Sequence, residues 1–171
     1  VTRLRVLALF SLGLLWAETC AVGRVAASLP LAVRDLSSER RLRRWLANEQ
    51  VEVWPCWEPL ARAFVAQQGQ QEVLLGLDPT AQTTRATIMV LGILVHRRIL
   101  PLAWTVLPNQ TACEQPQHVY IAELCQRVAE WLPCWNRVTL IADIGLAIVD
   151  LGYLCHSLGW DYVLRLSVDA K

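Results

Sequence analysis

The chain has 171 residues and a mass of 19.3 kDa, with 54% hydrophobic and 18% charged residues. This length fits one domain or one domain with a small appendage, and the hydrophobic content excludes an intrinsically disordered chain. A net charge of +1 excludes a uniformly basic nucleic-acid coat protein. Residues 1–50, however, hold eight arginines against four acids, net +4, whereas residues 51–171 are net −3. The basic N-terminal part is therefore the candidate for contact with an anionic partner.

The first 17 residues allow two interpretations. Arg3 and Arg5 precede an apolar run from Val6 to Trp16, as in a signal peptide, which would make the remainder a secreted or membrane-attached α/β domain. The run is shorter than the roughly 20 residues that span a bilayer, and it continues into another helix-like segment. The short length of the run and its continuation into another helix-like segment favour a buried helix, in a protein that does not enter a membrane.

The cysteines indicate free thiols. There are six of them without a C-x-x-C pair, which argues against a zinc site, and several fall on apolar faces. We expect small buried side chains in a reducing compartment. The six are Cys20, Cys56, Cys113, Cys125, Cys134 and Cys155.

The pattern from Leu4 to Gln68 is helical, with little β-branched alternation. Within it, the segment Ser37-Ser38-Glu39-Arg40 predicts a helix start with a serine cap. The arginine cluster of this helix fits either a solvated face or a face that contacts phosphates, and the sequence leaves both open. Its members are Arg40, Arg41, Arg43 and Arg44. A polar stretch at 67–71 predicts a domain boundary, which gives a helical region 1–68 and a second region 72–171.

The second region alternates between strand-like and helix-like segments. Apolar runs rich in Ile, Val and Leu predict strands, and apolar residues at helical spacing predict helices. In order, these are strands at 73–77, 87–95 and 99–107, a helix at 121–132, a strand at 138–142, a helix at 148–158 and a strand at 162–168. The second and third strands are expected to form an antiparallel hairpin across His96-Arg97-Arg98. This order predicts an α/β fold, a mixed sheet with helices packed on it.

Two aspartates follow buried strands. Asp78 comes after the strand at 73–77 and Asp143 after the strand at 138–142. Each alone is consistent with a turn cap. If the two strand ends are neighbours, the carboxylates repel each other unless a divalent cation neutralises them. Oxygen ligands without nearby His or Cys favour Mg²⁺ or Mn²⁺, and a two-metal phosphodiester reaction would need a third acid.

Three segments resemble the catalytic core of DDE transposases of bacterial insertion sequences, in the IS-four branch. They are Val-Leu-Leu-Gly-Leu-Asp-Pro-Thr at 73–80, Ile-Ala-Asp-Ile-Gly-Leu at 141–146, and Leu-Gly-Trp-Asp-Tyr-Val-Leu-Arg-Leu at 158–166. The segment Glu39-Arg40-Arg41-Leu42-Arg43-Arg44-Trp45-Leu46 is similar to the helical DNA-binding region of that family. The resemblance covers nearly the whole chain.

The resemblance implies an RNase H-like core and Mg²⁺- or Mn²⁺-dependent DNA cleavage and strand transfer, the chemistry of transposition and recombination. By position, Asp78 and Asp143 match the first two catalytic, metal-binding acids. Thr80, Arg165 and the four clustered arginines match DNA-binding positions. The expected partner is DNA at terminal inverted repeats, and a homodimer is left open. The expected location is the bacterial cytoplasm, in association with the nucleoid.

This sequence departs from the family in two places. Ile144 stands where the family usually has arginine, and the family's glutamate lies on a later helix, which residues 1–171 do not reach. Glu114, Glu123 and Glu130 precede Asp143 and are poor substitutes. The resemblance therefore implies an N-terminal transposase fragment with an incomplete RNase H-like core, inactive alone. The alternative is a non-catalytic DNA-binding fragment that regulates or inhibits the full-length enzyme.

Overall fold

The computed structural model describes residues 2–30, 35–67, 72–80, 86–108, 116–132, 137–143 and 148–165. By its internal contacts the chain divides into two compact units, Val1–Cys56 and Trp57–Lys171. This division falls within a helix, α4 (Val53–Gln67), whereas residues 68–71 of the predicted boundary lie outside the described residues. The functional division into 1–68 and 72–171 stays a prediction.

The first unit contains three helices, α1 (Thr2–Ala17), α2 (Val22–Ser28) and α3 (Asp35–Leu46). Its core is formed by five buried side chains, those of Val6, Val25, Ala26, Leu29 and Leu42. Phe10 of α1 packs against Trp45 of α3 with their ring centroids 6.0 Å apart. The helical prediction is confirmed for these three segments; α3 has distinct polar and apolar faces, whereas α1 is apolar on most sides.

Helix α3 begins earlier than predicted. It starts at Asp35, so Ser37 and Ser38 lie inside the helix, and the predicted serine cap is wrong. Ser38 is one turn before Leu42 and shares its buried face, with only 3% of its surface exposed. A small side chain at this position packs into the core, whereas a cap would stand at the end of the helix.

Within the described ranges, no single helix has the length and apolar composition needed to cross a membrane. The segments Arg3–Ala17 and Val22–Ser28 meet both criteria only as a pair, and the two are bent by 94° relative to each other.

The second unit is built on a five-stranded mixed sheet. Its strands are β1 (Glu72–Thr80), β2 (Ala86–Val95), β3 (Arg98–Pro108), β4 (Arg137–Ala142) and β5 (Asp161–Leu164), and their order across the sheet is β3-β2-β1-β4-β5. β2 pairs antiparallel with both β1 and β3, whereas β1–β4 and β4–β5 are parallel. The predicted α/β class and hairpin are confirmed, and this order is consistent with the RNase H-like sheet that the resemblance implied.

Two helices pack on one face of this sheet. α5 (Gln117–Ala129) connects β3 to β4, and α6 (Ile148–Leu158) connects β4 to β5. Both connections join parallel strands and move across the sheet in the same direction, so right-handed crossovers place both helices on the same face. The buried side chains of β1 are Val73, Leu75 and Leu77, as expected when one face meets the helices, and Gly76 between them is covered by Ile99. The residues between them face the other side.

Strand β1 is longer than predicted. It pairs with β4 only as far as Leu77, opposite Ala142, but with β2 as far as Thr80. Asp78 therefore lies within the strand and does not follow it. Beyond Leu77 the described residues give the strand a partner on one side only, which is a position where Pro79, without an N–H group, is tolerated.

The thiols divide into two classes. Cys125 of α5 and Cys155 of α6 are buried, as predicted, whereas Cys20 and Cys56 are exposed, so the prediction is wrong for these two. Cys113 and Cys134 lie outside the described residues. Burial, with a smaller contribution from Cys155, raises the pKa of Cys125 to about 12, and burial raises the pKa of Cys155 to about 11.

These pKa values predict selective alkylation. At pH 8, iodoacetamide should modify Cys20 within minutes and Cys125 at least roughly 100-fold more slowly, because the reactive thiolate is scarce when the pKa is raised. Peptide mass spectrometry after timed quenching measures both rates in one sample. Unfolding in urea should remove the difference. Equal rates in the folded protein would contradict the buried arrangement.

Two glycines lie opposite each other in the sheet, Gly76 in β1 and Gly92 in β2. A Cβ atom at Gly92 would stand 2.6 Å from the carbonyl oxygen of Leu100, whereas one at Gly76 would meet only the side chain of Ile99, with its Cδ1 at 2.7 Å. Ile99 is 48% exposed and is free to rotate away. A backbone carbonyl in a paired strand cannot move as easily.

We therefore expect Gly92→Ala to lower the free energy of unfolding by about 2 kcal/mol, and Gly76→Ala to change it by less than about 1 kcal/mol. Urea denaturation followed by circular dichroism measures both values. A larger loss for Gly76→Ala than for Gly92→Ala would contradict the described packing of the hairpin.

Candidate functional site

The parallel pairing of three neighbouring strands, β1, β4 and β5, stops at the same level across the sheet. Leu77 of β1 is paired with Ala142 of β4, and Ala142 is paired in turn with Leu164 of β5. The next residue along each strand is charged, which places Asp78, Asp143 and Arg165 side by side. In open α/β sheets, ligands bind outside the carboxyl ends of strands, and these three side chains occupy that position.

Asp78 and Asp143 are on the sheet face opposite α5 and α6. Because side chains alternate along a strand, the buried Leu77 and Ala142 point toward the helices and the residues after them point away. Neighbouring strands are about 4.8 Å apart, so two carboxylates at adjacent register positions are within reach of one cation. Both aspartates are exposed to solvent. The structure thus brings together the two acids that the sequence singled out.

Arg165 contacts the second of these acids. Its backbone N–H donates a hydrogen bond to the carbonyl oxygen of Ala142 at 3.1 Å, which holds it beside the end of β4. Its Nη1 atom is 3.6 Å from Oδ1 of Asp143. The two side chains are 72% and 56% exposed. An ion pair this accessible to water contributes about 0 to 1 kcal/mol.

A cavity of about 380 Å³ lies over these residues. Asp78, Asp143 and Arg165 line one part of it, and Leu94, Ile99 and Ile141 line the apolar remainder. The side chain of Ile99, part of this apolar wall, lies over Gly76 and Gly92, which are opposite each other in the sheet. Sequence reasoning missed this apolar wall. The available signal was two glycines inside strand patterns, which mark close approach of another chain segment.

The donor atoms available here suit a hard divalent cation. Mg²⁺ is commonly bound by one or two carboxylates together with water and substrate phosphates, and the two aspartates provide such a set. Among the residues that the structure describes, no group of three or more His, Cys, Asp or Glu side chains is arranged to hold a metal. The two carboxylates fit one ion, completed by water and substrate oxygens.

The glutamates considered as substitutes for the third acid lie elsewhere. Glu123 is on α5, which packs on the opposite face, and Glu130 follows the end of the same helix. Glu130 is 4.0 Å from Arg62, with its Oε2 facing Nη2 of that residue. Glu114 and Ile144 lie outside the described residues. Neither described glutamate lines the cavity, in agreement with the judgement that these are poor substitutes.

The four predicted DNA-binding arginines of α3 are all exposed, but they are not equivalent. Leu42 and Ser38 mark the buried side of the helix, and the opposite side carries a groove of about 700 Å³. The groove is lined by Leu36, Ser37, Arg40, Arg43 and Arg44. Arg41 lies on the flank of the helix, outside this groove.

One of the groove arginines has an internal partner. Nη2 of Arg43 is 2.7 Å from Oε1 of Glu39, one turn earlier on α3. This pair neutralises part of the positive face and restrains the Arg43 side chain. Arg40 and Arg44 are therefore the groove arginines best placed to contact an anion. Thr80, predicted to contact DNA beside the acids, is the last residue of β1 and is paired with Ile88 of β2.

Comparisons with known proteins show a weak similarity to a solved structure. No protein-family model matches the chain, and no curated protein matches it. Among solved structures, the chain is similar to a chain in the crystal structure of the Mos1 strand transfer complex, with 12% sequence identity and a TM-score of 0.36. The alignment covers 96% of the present chain and 58% of that chain. The present chain therefore spans less than two thirds of the length of its structural neighbour.

Proposed function

We propose that this chain is part of a DDE transposase of bacterial insertion sequences, of the IS-four branch, which cleaves DNA and transfers strands at the ends of the element. The observation that carries this proposal is the meeting of Asp78 and Asp143 at the ends of two paired parallel strands, in one cavity. Both carboxylates thus occupy the edge at which open α/β sheets bind ligands.

The residues of the site have separate roles in this proposal. Asp78 and Asp143 would hold Mg²⁺ or Mn²⁺, which would supply activation of the attacking oxygen and neutralisation of charge on the phosphodiester. Arg165 and Thr80 contact phosphates of the DNA beside the acids.

Two carboxylates are too few for a two-metal reaction, so the third acid must come from another segment. We propose that it is the family's glutamate, encoded downstream of Lys171, and that residues 1–171 alone do not cleave DNA. The expected substrate is DNA with terminal inverted repeats, met in the bacterial cytoplasm in association with the nucleoid, and assembly on two DNA ends would require a homodimer.

A plasmid-nicking assay tests this proposal. The chain alone should leave a supercoiled plasmid intact in Mg²⁺. An extended chain should nick the plasmid when the added downstream frame encodes a helix with tyrosine, arginine, glutamate and lysine. Asp78→Asn in that extended chain should abolish nicking. Absence of nicking by such an extended chain, or equal nicking by its Asp78→Asn variant, would refute the proposal.

A second function is favoured by a separate observation, the arginine-lined groove on α3. In this alternative the chain binds DNA without cleaving it and regulates or inhibits the full-length transposase. Such a protein would bind DNA with a strong dependence on salt, and Asp78→Asn would leave its inhibition of the full-length enzyme unchanged. In the first proposal, by contrast, the two aspartates are required.

A further inference from the structure

The guanidinium group of Arg165 lies beside the position expected for a cation. Its Nη1 is 3.6 Å from Oδ1 of Asp143, and both residues line the cavity that contains Asp78. A divalent ion held by the two carboxylates would therefore lie within a few ångströms of a positive charge that already contacts one of them. The positive guanidinium repels a second cation on the same carboxylate, so the two compete for Asp143.

The backbone and the side chain of Arg165 are held differently. The backbone is fixed to β4 by the hydrogen bond to Ala142 at 3.1 Å. The side chain is 72% exposed, and ion pairs of such exposed groups are weak. The guanidinium can therefore leave Asp143 for another partner without disturbing the sheet, because the backbone hydrogen bond to Ala142 holds Arg165 in place.

We propose that Arg165 is an internal counterion which neutralises Asp143 in the metal-free protein and releases it when a divalent cation binds. This inference rests on the proposed metal site and goes beyond it. The released guanidinium, held at the same edge of the sheet by its backbone, is then available to a phosphate group of DNA. Arg165 thus sets the affinity for the metal as well as contacting the substrate.

The inference predicts that removal of the positive charge strengthens metal binding. A unit charge a few ångströms from a divalent ion in a solvent-exposed site is worth about a three- to tenfold change in affinity. We expect Arg165→Gln to bind Mn²⁺ about three- to tenfold more tightly than the wild type. Arg165→Lys keeps the charge and should stay within about twofold of it.

Arg137 provides a matched control. Its side chain is also 72% exposed and its Nε is 2.7 Å from Oδ2 of Asp161, so it too is a surface arginine in an ion pair. It lies opposite Glu72 at the beginning of the parallel strands, whereas the candidate site is at their ends. Arg137→Gln removes the same charge far from the aspartates, and Mn²⁺ affinity should change by less than about twofold.

The measurement is the concentration of free Mn²⁺ by electron paramagnetic resonance, in titrations of the full chain at fixed ionic strength. Tighter binding by Arg165→Gln alone supports the proposal. The counterion proposal is overturned if Arg165→Gln binds Mn²⁺ as tightly as the wild type or more weakly, or if Arg137→Gln gains as much affinity. These outcomes leave the proposed metal site unaffected. Absence of Mn²⁺ binding in every variant overturns both the inference and the proposed metal site.

Discussion

Replacing either Asp78 or Asp143 with Asn is expected to weaken Mn²⁺ binding by roughly 10- to 100-fold, and replacing both should abolish it. The candidate site offers two carboxylates in one cavity, and each supplies both a ligand oxygen and a negative charge. An amide keeps the size of the side chain but loses the charge. Because both aspartates are exposed, the substitutions should leave the fold intact. Equilibrium titration with Mn²⁺ measures the effect.

Asp150→Asn is the control for this prediction. Asp150 is an exposed aspartate on α6, where its Oδ2 is 3.7 Å from Nδ1 of His118. Its replacement removes the same charge from the opposite side of the sheet, so Mn²⁺ affinity should change by less than about twofold. Undiminished binding in Asp78→Asn and Asp143→Asn, or an equal loss in Asp150→Asn, would show that Mn²⁺ is held somewhere else.

The double variant Arg40→Ala with Arg44→Ala is expected to weaken binding to duplex DNA by roughly tenfold at about 0.1 M salt. Both arginines line the groove on the outward side of α3, and neither is the partner of Glu39. Each phosphate contact releases counterions, so the loss of two contacts should also reduce the slope of log affinity against log salt by about 2. Fluorescence anisotropy at several salt concentrations gives both quantities.

Arg97→Ala with Arg98→Ala is the charge-matched control. These exposed arginines lie at the turn between β2 and β3, so the variant loses the same net charge without altering α3. Its affinity for DNA should stay within about threefold of the wild type. If the two double variants lose the same affinity, binding depends on the overall charge of the protein, and the groove on α3 has no special role.

The mixed sheet could be predicted because its signals are local. Alternating or continuous apolar runs marked the strands, and Asp143 marked the end of β4. Where the prediction was wrong, the cause is non-local pairing. Asp78 lies inside β1 because β2 continues to pair with it beyond the last partner in β4, which no pattern within residues 72–80 records.

The details of the candidate site depend on tertiary contacts in the same way. The contact of Arg165 with Asp143 follows from the pairing of β4 with β5, and the apolar wall follows from Ile99 lying over two glycines of neighbouring strands. The sequence could not decide which arginines of α3 face outward, since that depends on which side of the helix, here the side with Leu42, packs into the core. The helix start was misplaced because a serine near the beginning of a helix can either cap or pack.

Cleavage of the polypeptide by bound iron tests the central claim most directly. Fe²⁺ can replace Mg²⁺ at carboxylate sites, and with ascorbate and peroxide it produces hydroxyl radicals that cut the backbone nearby. Mass spectrometry of the fragments should find cuts in two separate segments, around residues 78 and 143, that are suppressed by excess Mg²⁺ and lost when both aspartates are replaced with Asn. Cuts at only one of these segments, or scattered cuts that Mg²⁺ does not suppress, would contradict a shared metal site.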